Sequence, residues 1–159
     1  MMYRSPVSRA IVLSAISVGC ILKTAHAAEK HITRDALPAP VRATVDTESR
    51  GATIKGFLTE VENGKRVFEA ETISQGHARD LQIAPDGTLN EVEEEVPFSQ
   101  LPAPVQEALT ARAAGAHILK VESLVKHDKL VAYEASTLNG KQKGEVQVAP
   151  DGSRLKHEE

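Results

Sequence analysis

The groups in this chain that could do chemistry are few and badly placed for it. Beyond residue 27 the histidines are His31, His77, His117, His127 and His157. No two of them stand four apart on a helical face, none forms His-x-His, and no cysteine lies among them, so no zinc set can be composed. The densest charge is Glu91-Val92-Glu93-Glu94-Glu95. On a strand Glu91, Glu93 and Glu95 point to one side. They are the candidate partner-facing residues, an acidic strip for a cationic partner or calcium. The bland alternative is charge that guards an exposed or edge strand from aggregation. The alternating Asp/Asn/Gly loop of a calcium site is missing. So are the nucleophile elbow, the phosphate loop and the dinucleotide fingerprint. The residues therefore predict no catalytic group, no metal site and no cofactor.

What must position the strip is a repeated pattern. Leu37-Pro38-Ala39-Pro40-Val41 returns as Leu101-Pro102-Ala103-Pro104-Val105, and Arg50–Ile54 as Ala114–Ile118, both 64 positions on. Phe68-Glu69-Ala70 returns as Tyr133-Glu134-Ala135 and Ile83–Gly87 as Val148–Gly152, now 65 positions on, so one residue is inserted between. Such self-similarity predicts a duplicated unit.

Each unit reads as one helix and four strands. Prolines 102 and 104 fit a first helical turn, where a missing N–H costs nothing. Val105, Ala108, Leu109 and Ala113 make one apolar stripe, and Gly115 ends it. In the first unit Asp35 could cap, and Val41, Thr44, Val45 and Ala52 continue the stripe up to Gly51. Ile118–Val125, the alternating Val131, Tyr133, Ala135 and Thr137, then Val146 and Val148 read as strands, and Arg154–His157 as a last one. Asn139-Gly140 and the two Pro-Asp-Gly sequences mark turns. Phe68 and Tyr133 are expected to face the helices. The opposite face, rich in Glu, Gln, Lys, Arg and Thr, is expected to be wet or open to a partner.

Residues 1–27 read as a signal peptide. Arg4 and Arg9 precede the apolar run Ala10–Leu22, and Ala25-His26-Ala27 offers a cleavage site after Ala27. Lipidation at Cys20 and an uncleaved anchor are the alternatives. Removing Arg4, Arg9 and Lys23 takes 19 basic residues to 16 against 22 acidic ones, a formal charge of −6. That surface does not suit nucleic acid. With Cys20 gone no disulfide can form. No stable membrane insertion is expected after signal removal, and the periplasm or the exterior is the expected location. The domain plan is a signal peptide over 1–27, an N-terminal segment over 28–36, one unit over 37–96, a linker over 97–100 and a second unit over 101–159.

Leu101-Pro102, Gly115, Tyr133-Glu134 and Asp151-Gly152 resemble the pattern of a PepSY-like unit, as do Leu37-Pro38, Gly51, Phe68-Glu69 and Asp86-Gly87. Paired, the two resemble the β-lactamase-inhibitor-like (BLIP-like) arrangement. The resemblance implies an α+β fold: two tandem units, each a helix packed on a four-stranded antiparallel sheet. It implies exported proteins that bind or inhibit other proteins, including peptidases, with no catalytic residues to carry over. The expected function is a non-catalytic binding or regulatory protein with a protein or peptide partner on its sheet face, with peptidase inhibition or modulation as one form of that role. The alternative is a cell-envelope protein binding a metal or small molecule.

Overall fold

The computed structural model describes residues 29–62 and 64–157. The signal peptide, its cleavage after Ala27 and Cys20 lie outside the described residues. The strands are β1 (Lys30–Ile32), β2 (Thr53–Glu62), β3 (Lys65–Ser74), β4 (His77–Ile83), β5 (Leu89–Glu95), β6 (His117–Lys126), β7 (Lys129–Asn139) and β8 (Gln142–Val148). The helices are α1 (Ala39–Glu48) and α2 (Ala103–Ala113).

These strands form one eight-stranded sheet in sequential order, antiparallel throughout. This corrects the expected architecture of two units with four strands each. The joint is β5, which pairs with β4 through Leu81↔Val92 and with β6 through Val92↔Val125. A strand hydrogen-bonded on both edges leaves no seam between two sheets. A further correction concerns Arg154–His157, which is irregular. Leu155 is the one apolar residue of that stretch, so an alternating strand there would have little to bury. Lys30–Ile32, in contrast, was not expected as a strand and closes onto β2.

Alternation along each strand sorts the side chains. Leu81, Val92, Val125 and, two residues along β6, Ser123 and its neighbour Tyr133 fall on one side by register. Both helices pack on that side. Val41 and Val45 of α1 meet Phe57, Phe68, Ala70, Leu81 and Ile83. Val105 and Leu109 of α2 meet Val121, Ala135 and Val148, with Tyr133 at the margin. Phe68 and Tyr133 thus face the helices as the sequence predicts.

Local chemistry sets the helix ends. Pro38 and Pro102 occupy the N-caps, and neither makes a side-chain cap bond. Asp35, expected as a cap, lies instead in a short 3-10 turn over Arg34–Ala36. α2 ends at Ala114, whose φ of 50° is left-handed, before Gly115 takes a second left-handed position. Arg79 donates to the carbonyl of Glu48 at 3.1 Å, so a guanidinium closes the end of α1.

The repeated Pro-Asp-Gly turns have a packing reason beyond the hairpin. In each, the amide of the residue after Gly is held by the Asp carboxylate, Thr88 by Asp86 at 3.0 Å and Ser153 by Asp151 at 2.9 Å. The glycine itself presses on the start of a helix. A Cβ at Gly152 would stand 2.6 Å from the carbonyl oxygen of Pro104, and one at Gly87 3.0 Å from that of Pro40. Gly140 also has a positive φ, but nothing lies within 4 Å of a Cβ there. Gly140→Ala is expected to cost about 1 kcal/mol, from the left-handed backbone alone. Gly152→Ala adds the collision with α2 and should cost clearly more. Denaturant melts of the two variants check this, and equal costs would contradict the tight contact.

Candidate binding face

The sheet face that carries no helix is the candidate site. Register places Glu69 opposite Gln82, Glu71 opposite Asp80, Asp80 opposite Glu93, Glu91 opposite Lys126, Glu95 opposite Glu122 and Glu122 opposite Glu134. Carboxylates therefore run across the sheet from β3 to β7. Glu91, Glu93 and Glu95 share this face, as alternation predicts. The idea that they guard an edge is corrected, because β5 lies in the interior of the sheet.

The face is not simply wet. Leu58, Val67, Leu124 and Ala132 are buried on it, and so are Glu91 and Glu122, each 5% exposed. No described helix covers them, and a sheet that curls inward brings neighbouring side chains over such positions. The charges of Glu62 on β2 and Glu134 on β7 add to the raising of Glu91, and we read the face as concave. Bulges between Ile54 and Gly56 and between Ile118 and Lys120 bend β2 and β6 at corresponding places.

Burial and mutual repulsion shape the electrostatics. Burial, reinforced by the charges of Asp80, Glu29 and Glu71, pushes the Glu69 carboxyl up to about 7. Burial also pushes Glu93 up to about 8, with Glu122, Glu91 and Glu134 adding to it. Asp80, Glu91 and Glu134 are raised too, first by burial. Partners soften these three: the Thr72 amide donates to Asp80 at 3.1 Å, Lys126 lies 3.5 Å from Glu91, and Gln147 donates to Glu134 at 2.6 Å. Glu122 is closed by Lys120 at 2.6 Å. Glu93 instead faces buried Leu124. The concavity can hold protons near neutral pH and attract cationic groups.

Sequence reasoning found the β5 strip and missed its neighbours. The signal was present in Phe68-Glu69 and Tyr133-Glu134. Adjacent strand residues point to opposite faces, so each aromatic goes under a helix and each glutamate into the concavity. The histidines are exposed and scattered: His31 on β1, His77 and His117 at strand starts, His127 in a turn, His157 in the tail. Among the described residues no three His, Cys, Asp or Glu side chains are grouped to hold a metal ion. No described helix is long and apolar enough to cross a membrane.

No family model matches this chain. No curated protein matches it either. Solved structures do. A Bacteroides eggerthii protein provisionally assigned to the periplasm is similar with a TM-score of 0.61 at 15% identity, over 76% of this chain and 86% of that one. A DUF2874 family protein of Bacteroides ovatus reaches 0.60 at 16% identity, over 77% and 86%. A BLIP-like protein of Bacteroides fragilis reaches 0.54 at 16% identity, over 75% and 83%. The fold is BLIP-like. At these identities the likeness concerns the backbone arrangement, and the concave acidic face is read from this chain alone.

The raised carboxyls fix the sign of a pH effect. A glutamate bound to its proton more tightly when folded favours the folded state below its unfolded pKa of about 4.3. That contribution fades as pH rises through 7 for Glu69 and 8 for Glu93. The melting temperature is expected to be higher at pH 5 than at pH 8. Glu93→Gln should raise it at pH 8 and flatten the slope. Calorimetric melts check this, and a melting temperature that climbs from pH 5 to pH 8 would contradict it.

Proposed function

We propose that this chain is an exported, non-catalytic binding or regulatory protein. It docks a Lys- or Arg-bearing segment of a protein or peptide partner in its concave sheet face, with inhibition or modulation of an exported peptidase as one outcome of docking. The observation that carries the reading is the concave face itself, where carboxylates from β3 to β7 converge and Glu93 faces Leu124, while the cation of Lys120, which also acts on Glu93, is hydrogen-bonded to Glu122. A bound ammonium or guanidinium would favour the charged carboxylates that burial opposes. Apolar Leu58, Val67, Leu124 and Ala132 lie between them.

Export rests on the leader pattern of residues 1–27 and is supported by the periplasmic assignment of a structural neighbour. The PepSY-like pattern of the two halves, with helices 64 residues apart at Ala39 and Ala103, belongs to the same reading. So does the BLIP-like fold, in which a single curved sheet offers one continuous face.

The test is crosslinking in the native periplasm with this chain as bait, followed by purification of the captured protein. Crosslinks are expected on the open face of β3 to β7. Glu93→Lys should weaken the purified complex at least tenfold, and the wild-type complex should weaken with added salt. Crosslinks confined to the helix face, or binding indifferent to Glu93→Lys, would overturn the reading.

A further inference from the structure

A second feature of the sheet lies at its ends. β8 pairs with β7 on one edge, and no described strand covers the other. β1 pairs with β2 and ends the sheet at the opposite side. The molecule shows in its own middle how such ends can join. β4 holds the place of β8, 65 positions earlier, and its outer edge is covered by β5. The end of β5 in turn corresponds to β1, 64 positions earlier: Glu95 faces Glu122 as His31 faces Leu58.

We propose that the outer edge of β8 receives β1 of a second copy of this chain, in the register already used between β4 and β5. There Arg79 faces Glu94 and Asp80 faces Glu93. Carried over by the same offsets, Gly144 faces Lys30 of the second copy, and Glu145 faces its Glu29. Neither β1 nor β8 contains a proline, so each edge keeps its backbone donors. By the same offsets the incoming α1 takes, beside α2, the place that α2 takes beside α1. The helices then stay on one face and the sheet runs on. The contact is head-to-tail, so it can repeat from copy to copy. The facing Glu29 and Glu145 keep it weak at neutral pH, as a like-charge cross-strand pair does.

The register makes the test specific. Every described strand and helix lies within residues 30–148, so residues 28–159 carry the complete described fold. Sedimentation velocity over a wide concentration range is run on that chain and three variants. Glu29 and Glu145 are both exposed, so their replacement spares the core. Glu29→Lys alone turns a like pair into an opposite pair and should strengthen self-association about two- to fivefold. Glu145→Lys alone should do the same. The two together restore a like pair and should return the association to the wild-type level. Monomers in all four chains, or single changes that act in opposite directions, would overturn the proposal. So would a double variant that associates as strongly as either single one.

Discussion

The structure depends on β5 being hydrogen-bonded along both edges. That strand carries Glu91, Glu93 and Glu95 on one side and Val92 on the other. Its place in the sheet forces the three glutamates into the interior of the open face. The apolar side, through Val92, continues the layer under α1 toward the layer under α2. A strand that would look like a solvated edge by composition is instead the joint that makes one sheet out of two halves. The cost is desolvation of carboxylates, and the raised carboxyls of Glu69 and Glu93 record it.

Curvature links this joint to the binding face. Matching bulges interrupt β2 and β6 at corresponding places, and bulges bend the strands that carry them, which fits a face that gathers its glutamates. Lys120 and Lys126 offset part of that charge. The helices act only from behind. They bury Phe68 and crowd Tyr133, and by alternation they set Glu69 and Glu134 pointing the other way. Positioning of the site is thus a consequence of core packing.

Much of this was legible in the sequence. The turns after Ile83 and Val148, the two helices and the inward Phe68 and Tyr133 followed from spacing and alternation. The inserted residue in the second half is placed by the structure at Val131, skipped between Leu130 and Ala132 in the pairing of β7 with β6. What was not legible was pairing across the halves. Alternation says which residues share a face of one strand, but it does not say which strand lies beside it. Alternation alone therefore leaves two sheets with β5 at an edge. By repetition of the first half it also places a strand at Arg154–His157. The first-half strand is secured by β6 on its far side, and the last residues have no such neighbour.

The measurement closest to the central claim is a carbon-detected NMR titration of the glutamate side-chain carboxyls from pH 4 to pH 10. A concave face that desolvates its carboxylates predicts midpoints of about 7 for Glu69 and about 8 for Glu93. Midpoints near the ordinary glutamate value of about 4.3 would mean an open, solvated face and would contradict the account.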